Sequence, residues 1–463
     1  MGHLLPAEPV ASLDAYLAGG GGRGLQRTAD LGPDGVIDVL DRAGLRGRGG
    51  AGFPTAAKWA SIRAGGPEVG DRYVVANGAE GEPGTFKDRA LMVANPYQVV
   101  EGVEIAVRTV GAVGAYIAVK ASFGPQIAAL ERAVEEMAAA ELVGSAPITL
   151  VTGPDEYLFG EEKGLLEVIE GEDPLPRFFP PYVYGLFTAQ PQMGWSAGLD
   201  LSSDGLDVPS SNPTLVNNVE TLANVPVILD RGPEWHRGLG TERSPGVVIA
   251  TVLGDTVRAG VGEVELGTPL AAVIDALGGG VRPGHQVKAV LSGVANPVLT
   301  GPDQLETPVS YEDMEAAGSG LGAAGFVVYD EQADMVAVAR AVSRFLYVES
   351  CGQCPPCKWG TGEVTALLDR VLAGEGTSHD VEVIGAVLLR VTDANRCFLG
   401  EQERRVIGSL LRAFPEEFVG HLEGIIPPPE PVLVPKLVDL VDGVAVYDER
   451  QTRKRPDWTY ADA

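Results

Sequence analysis

Cysteine is scarce in this 463-residue chain, with Cys351, Cys354, Cys357 and Cys397 the whole supply. Long apolar runs are missing too. No stretch approaches the roughly 18 residues of a membrane-spanning helix, and the composition is expected of a soluble chain. The first residues, Met1-Gly-His-Leu-Leu-Pro6, show no basic region followed by an apolar stretch, so no signal peptide is expected. Basic side chains are few, 35 Lys and Arg against 63 Asp and Glu, for a formal net charge of −28. That balance argues against nucleic acid and anionic membrane surfaces as direct partners. What is abundant is glycine (61) and proline (34), which predicts many tight turns and loops where backbone approaches a ligand. The length allows two to four hydrophobic cores.

The four cysteines are not scattered. Three sit in Glu349-Ser-Cys-Gly-Gln-Cys-Pro-Pro-Cys-Lys358, and the fourth follows 40 positions after Cys357 in Asn395-Arg-Cys-Phe-Leu-Gly400. A C-x2-C-x2-C run with a distant fourth thiol suits a cubane [4Fe–4S] cluster: three nearby thiolates bind three irons and another segment supplies the fourth. A zinc site stays open, although four-thiolate zinc sites usually split their ligands two and two. A disulfide pair would suit a secreted chain, and nothing here marks secretion; the spacing fits a reducing cytoplasm.

Upstream, the chain alternates. Residues 1–30 read as a weak lead-in, with Ala18-Gly-Gly-Gly-Gly-Arg-Gly24 expected as irregular surface chain. A helix is predicted from Pro33 to Gly44. Next comes Leu45-Arg-Gly-Arg-Gly-Gly-Ala-Gly-Phe-Pro-Thr-Ala-Ala-Lys-Trp59, where Gly47, Gly49, Gly50 and Gly52 let backbone amides approach a phosphate and Arg46, Arg48 and Lys58 add positive charge. The loop matches neither the G-x-G-x-x-G dinucleotide fingerprint nor a Walker loop. Tyr73-Val-Val-Ala76 is a predicted strand that runs into Asn77-Gly-Ala-Glu-Gly-Glu-Pro-Gly-Thr-Phe-Lys-Asp88, a loop of the kind that holds ligands in open α/β sheets. Helices at 97–110 and 125–142 alternate with strands at 115–119 and 148–151, predicting a parallel sheet covered on both faces. Tyr157-Leu-Phe-Gly-Glu-Glu162 opens a further helix, where the two acids suit the helix dipole. Asn212-Pro-Thr-Leu-Val-Asn-Asn-Val-Glu-Thr221 places Asn217 and Asn218 before an apolar helix, as ligand groups or caps.

Taken in order, Gly47-Arg-Gly-Gly-Ala-Gly-Phe-Pro-Thr55, Glu82-Pro-Gly84, Gly160-Glu-Glu162, Val216-Asn-Asn-Val-Glu-Thr221 and the three-cysteine run resemble the NADH-binding flavoprotein subunit of respiratory NADH dehydrogenase. That family includes the diaphorase subunits of NAD-linked hydrogenases and formate dehydrogenases, and the resemblance covers about residues 30–425. It implies FMN, NAD(H) and one [4Fe–4S] cluster. Matched by motif, Gly47, Gly49, Gly50, Lys58, Asn77, Glu80, Tyr157, Gly160, Glu161, Glu162, Asn217, Asn218 and Thr221 would hold FMN. Phe53, Glu82 and Tyr182 would lie near the nicotinamide nucleotide, Glu82 orienting it, and the four cysteines would ligate the cluster. The chain departs from the family pattern at Ala79 (usually Asp), at Ser61 (usually an aromatic), at Phe179 (usually Lys) and at Lys163 (usually Thr). The resemblance implies hydride transfer from NADH to FMN, then single electrons through the cluster to a small [2Fe–2S] subunit and a larger iron–sulfur subunit of one complex, with NADH:quinone oxidoreductase foremost. It would place the chain in the cytoplasm, or peripherally at the inner face of the cell membrane. Two alternatives stay open: a diaphorase subunit of a hydrogenase or formate dehydrogenase, and a flavoprotein with altered or lost NADH use.

The expected architecture is α/β: a Rossmann-like FMN and NADH domain over 1–240, a small β-grasp (ubiquitin-like) domain over 241–331, a four-helix bundle carrying the cluster over 332–425, and a tail over 426–463. In the second domain, strands at 246–253, 287–291 and 325–329 surround one helix at 268–277 capped by Thr268, and His285 reads as a surface residue. In the third, Met335, Val338, Ala339, Val342, Phe345 and Leu346 form an apolar stripe at helical spacing, with further helices near 358–373, 380–392 and 401–413. In the tail, 437–446 suits a hairpin turning at Asp442-Gly443, and the basic patch Arg450, Arg453, Lys454 and Arg455 reads as a solvated terminus, with an acidic partner as the alternative.

Overall fold

Tyr73-Val-Val-Ala-Asn77 is rich in β-branched and aromatic side chains, and Val74, Val75 and Ala76 are fully buried. Such a run is suited to the centre of a sheet covered on both faces. In the computed structural model, which describes residues 2–65, 70–188 and 211–461, it is the central strand β1 (Tyr73–Asn77). Beside it lie β2 (Gly114–Lys120), β3 (Ile148–Gly153) and β4 (Thr214–Asn218), in the order β3-β2-β1-β4. All pairings are parallel, with Tyr73 opposite both Gly114 and Thr214, and Ala115 opposite Ile148. Helices Pro96–Val110 and Gly124–Ala139 make the crossovers, each with proline in its first turn, where its missing N–H costs nothing. The chain moves outward from β1 to β3 and then returns to the other side of β1 for β4. The order therefore reverses between β1 and β4, and in open α/β sheets ligands bind outside the carboxyl ends at such a reversal.

The contacts divide the chain into two units, residues 1–80 with 88–248 and residues 81–87 with 249–463. The parallel sheet belongs to the first. Its N-terminal part is more ordered than the lead-in expected. Helix Arg23–Ala43 begins ten residues before Pro33, bends at Gly32 (φ 65°, ψ 173°), and ends at Gly44 in the left-handed conformation (φ 69°). The glycine-rich stretch before it is packed, not loose on the surface. The buried Glu101 carboxylate accepts the amides of Gly22 and Leu25 at 2.8 and 3.0 Å and the Tyr16 hydroxyl at 2.5 Å. A Cβ on Gly24 would stand 2.7 Å from that carboxylate, so this glycine is required by close packing.

The second unit holds a five-stranded mixed sheet of β5 (Val247–Gly254), β6 (Gly260–Glu265), β7 (Val287–Ser292), β8 (Leu299–Thr300) and β9 (Gly325–Asp330), in the order β6-β5-β9-β7-β8. β5 and β9 run parallel; β7 is antiparallel to β9 and β8. Strand β6 went unread because Gly260-Val-Gly-Glu-Val-Glu265 lacks an apolar run. The helix expected at 268–277 is the short turn Leu270–Val273, continued by a wider turn over Ile274–Gly278. Thr268 does not cap it; its hydroxyl donates to the Glu265 carbonyl.

Helices Met335–Glu349, Pro355–Leu372, Ser378–Leu388 and Leu399–Ala413 follow, with a fifth, Pro415–Leu422, after them. The stripe from Met335 to Leu346 is buried throughout. A hairpin of β10 (Leu437–Val441) and β11 (Val444–Tyr447) turns through Asp442 and Gly443, both at positive φ (49° and 81°) as a two-residue hairpin turn requires. The tail is not simply a solvated terminus: Lys454 is 1% exposed and its ammonium lies 2.8 Å from the buried Glu349 carboxylate. The fold is thus mixed α/β with a parallel sheet and a C-terminal helical region. Among the described residues no helix is long and apolar enough to cross a membrane.

Candidate functional site

In the first unit, the expected flavin residues gather at the carboxyl ends of β1 and β4. Asn77 ends β1, and its amide donates to the Gly160 carbonyl at 2.8 Å while accepting the Ala79 amide at 3.1 Å. Asn218 ends β4 and caps helix Val219–Arg231 by accepting the Glu220 amide at 3.0 Å; its own amide donates to Asp88 at 2.9 Å. Asn217 accepts the indole N–H of the fully buried Trp59 at 2.8 Å. The Gly-rich loop is tied in by the Arg48 amide, which donates to the Thr221 hydroxyl at 2.8 Å. Four segments distant in sequence thus meet at the reversal.

The two arginines of that loop do not offer their charge to a ligand. Arg48 is 1% exposed and its guanidinium donates to the carbonyls of Arg46, Pro245 and Val247. Arg46 donates to the Gly52 carbonyl at 2.8 Å. A glycine-rich turn leaves carbonyls without ladder partners, and these side chains satisfy them. The loop's amides are a different matter. Gly50 and Gly52 hold positive φ (122° and 61°), a backbone that glycine adopts freely and that lets successive loop amides turn toward a bound group. Consecutive amides of this kind suit the phosphate of FMN. Crowding also fits: a Cβ on Gly49 would lie 3.3 Å from the Asn218 Cβ, and one on Gly160 would lie 2.9 Å from the Ala79 carbonyl oxygen.

The charged candidates are mostly engaged. Lys58 pairs with Glu162 at 3.1 Å. Glu161 caps helix Glu162–Ile169 through the amides of Lys163 and Gly164, and burial pushes its carboxyl up to about 7 despite the nearby Lys163 ammonium. Glu80 forms a buried ion pair with Arg89 at 2.8 Å and accepts the Asp88 amide. The partners Trp59, Asp88 and Arg89 escaped the sequence reading, since only the folded chain shows what each faces. Tyr157 is half-buried in the turn leading to Gly160. Phe53 and Tyr182 are 57% and 56% exposed. Ser61 is an exposed helical residue whose hydroxyl donates to the Lys58 carbonyl, and Ala79 is 1% exposed within the apolar cluster of Val75, Phe159 and Leu166. Glu82 belongs to the second unit. There its carboxylate accepts the Val294 amide at 2.7 Å, against Gly293 (φ 63°), where a Cβ would stand 2.3 Å from the carboxylate oxygen.

In the second unit, Cys351 lies in the loop after helix Met335–Glu349, Cys354 caps helix Pro355–Leu372, Cys357 is in its first turn, and Cys397 precedes helix Leu399–Ala413. All four are free thiols. The Arg396 amide approaches the Cys354 sulfur at 3.4 Å, joining the segment of Cys397 to the three-cysteine loop. Further donors face two of the other sulfurs: the Gln353 amide is 3.6 Å from Cys351, and the Ser350 hydroxyl 3.5 Å from Cys357. Burial pushes the Cys357 thiol up to about 11, so ionising it takes a strong neighbouring positive charge such as bound iron. Among the described residues, the group of three or more His, Cys, Asp or Glu whose ligand atoms all lie within 4.8 Å of one another is His285, Asp330 and Glu331, not the cysteines. His285, expected at the surface, is partly exposed and contacts Glu331 at 2.9 Å and Asp330 at 3.2 Å, where Arg282 already pairs with Asp330.

Residues 40–227 match the family model for the Nuo51 FMN-binding domain, and residues 337–421 match the NADH-ubiquinone oxidoreductase-F iron-sulfur binding region. The chain is 35% identical over 435 residues to the NADH-quinone oxidoreductase F 2 subunit of Rhizobium meliloti, covering 91% of this chain and 95% of that protein. It is 33% identical over 420 residues to the NADP-reducing hydrogenase subunit HndC of Solidesulfovibrio fructosivorans, covering 89% of this chain and 81% of that protein. Among solved structures, NAD+-reducing [NiFe]-hydrogenase in the air-oxidized state aligns with a TM-score of 0.75 at 30% identity, covering 94% of this chain and 69% of the other. Likeness of this extent, reaching through both cofactor regions, settles the family: the chain belongs to the F-type subunits of NADH-quinone oxidoreductase.

Proposed function

We infer that this chain is the electron-input subunit of an NADH-oxidising complex, taking a hydride from NADH at FMN and passing electrons singly through a [4Fe–4S] cluster to a partner iron–sulfur subunit. One observation carries the reading: loop amides, asparagines and a glycine gather at the reversal of a parallel sheet, in a chain where the segment of Cys397 meets the three-cysteine loop through the Arg396 amide. Flavin and cluster together supply the conversion of a two-electron donor into one-electron steps.

The chain's own residues position and shield. The amides of residues 49–52 hold the flavin phosphate. Asn77, Asn218, Gly160 and Thr221 fix the loops around it, and Lys58 with Glu162 lines the same region. Hydride transfer needs no acid or base, so positioning is what the protein contributes. Phe53, Tyr182 and Glu82 contact the nucleotide, with Glu82 orienting the nicotinamide. Cys351, Cys354, Cys357 and Cys397 ligate the iron, and the Arg396 amide stabilises charge on the Cys354 sulfur.

The finer architecture follows the same reading: a Rossmann-like domain to about residue 240, a β-grasp module around β5–β9, and a helical bundle holding the cluster. The partners are a small [2Fe–2S] subunit and a larger iron–sulfur subunit, in a complex lying peripherally at the cytoplasmic face of the membrane. The likeness to hydrogenase subunits favours one second reading, a diaphorase that delivers electrons to a nicotinamide nucleotide. Co-purification separates the two, since a hydrogenase subunit in the complex would select the second. The first reading is tested by reconstituting the chain with FMN, iron and sulfide. The expected yield is about one flavin and about four irons per chain, with NADH-dependent reduction of ferricyanide. A chain that takes up neither group contradicts it.

A further inference from the structure

The tail beyond residue 421, where the iron–sulfur region ends, returns to the cysteine loop. Glu349 is the last residue of its helix, two before Cys351, and is fully buried. Its carboxylate meets three tail side chains: the Lys454 ammonium at 2.8 Å, the Gln451 amide at 3.1 Å and the Lys436 ammonium at 3.8 Å. Both Glu349 and Lys454 have side chains with no solvent exposure. From the same helix, Arg344 donates to the carbonyls of Gln451, Thr452 and Lys454 at 2.8, 2.7 and 3.1 Å. Lys358, directly after Cys357, donates to the Ser350 carbonyl at 2.7 Å and to the Pro456 carbonyl at 2.5 Å. The tail is thus fastened on both sides of the loop that carries three cysteines.

A buried ion pair is a costly way to secure a tail, because both charges lose their hydration. An apolar anchor would hold as well. A pair placed two residues from a cluster ligand does something an apolar anchor cannot: it sets charge near a centre whose own charge changes with each electron. We propose that residues 436–460 form a strap that positions the cysteine loop, and that the buried Glu349–Lys454 pair balances charge beside the cluster and so sets its reduction potential. The proposal rests on the cluster reading above. Lys454 and Glu349 are positioning residues; neither touches iron. An ammonium favours the reduced, more negative cluster, and a carboxylate opposes it.

The test uses the full chain reconstituted with iron and sulfide, with potentials read by redox titration of the cluster's electron paramagnetic resonance signal. Lys454→Met is expected to lower the potential, Glu349→Gln to raise it, and the double variant to return it close to the wild-type value. Lys454→Arg is expected to keep it. A merely structural pair produces no such opposite signs. Shifts of one sign, no shift with the cluster retained, or loss of the cluster from all three neutralising variants would overturn the charge-balancing role. The strap is checked separately by amide hydrogen exchange across residues 344–358. Lys454→Met should speed exchange there in the chain without iron, and unchanged exchange would overturn the strap. A wild-type chain that takes up no iron would sink the cluster reading itself, while the exchange result still decides the strap.

Discussion

The flavin region and the cysteine region solve the problem of holding a cofactor in opposite ways. At the carboxyl ends of β1 and β4, backbone amides and amide side chains come from four separate segments, and most charged groups are committed to one another: Lys58 to Glu162, Glu80 to Arg89, Arg48 to carbonyls. In the cysteine region, three thiols sit on one loop and helix start, and the fourth, Cys397, comes with the donor Arg396 from a single second segment. Soft ligand chemistry admits one residue type, whereas a phosphate or a ring edge accepts any well-placed amide. The first kind of site depends on the fold, and the second on the identity of a few side chains.

That contrast can be broken most sharply with Cys354→Ala. The variant should lose essentially all iron and the cluster's magnetic signal while still binding flavin and bleaching it with NADH; iron analysis beside flavin absorbance checks it. Loss of flavin as well would mean the two regions are not independent.

A second variant sharpens the electrostatics of the cysteine region. Glu403 is completely buried, and burial pushes its carboxyl up to about 8 although the Ser343 hydroxyl donates to it at 2.6 Å. The folded state therefore favours the neutral acid, and its stabilising contribution is lost as pH rises through about 8. Glu403→Gln keeps the neutral shape. It should match the wild type near pH 5 and gain progressively up to about pH 8, by a few kcal/mol at most, in denaturant titrations across that range. A constant difference at every pH would refute the assignment.

Much of this was readable before folding. The thiols announced themselves by spacing, the parallel sheet by alternation, and the hairpin by Asp442-Gly443. The failures were residues whose roles are set by distant partners. Arg48 looked like a ligand cation, but sequence does not reveal which carbonyls a glycine turn leaves unpaired. The stretch over 18–24 looked loose because Glu101, which organises it, lies about 80 positions away. Lys454 looked solvated because nothing local marks Glu349 as its partner.

Smaller effects probe the flavin side. Glu82→Gln keeps an oxygen to accept the Val294 amide, so folding should be unaffected while NADH oxidation falls by roughly 10- to 100-fold, the range for losing a charge-assisted hydrogen bond. Steady-state kinetics with NADH and ferricyanide measure this, and unchanged rates would remove Glu82 from the nucleotide site. Asn218→Ala removes the helix cap and the bond to Asp88. It should cost about 1 kcal/mol of stability and weaken flavin retention by about tenfold, leaving iron content intact.

The central claim is that one chain couples a hydride donor to a one-electron centre. The most direct measurement is an anaerobic NADH titration of the FMN- and iron-reconstituted chain, following flavin absorbance and the cluster's magnetic signal together. The account predicts that stoichiometric NADH bleaches the flavin and that the reduced-cluster signal grows with it. A flavin that dithionite reduces and NADH does not would contradict it, and would point to Ser61 and Ala79 as the places where the nucleotide site has changed.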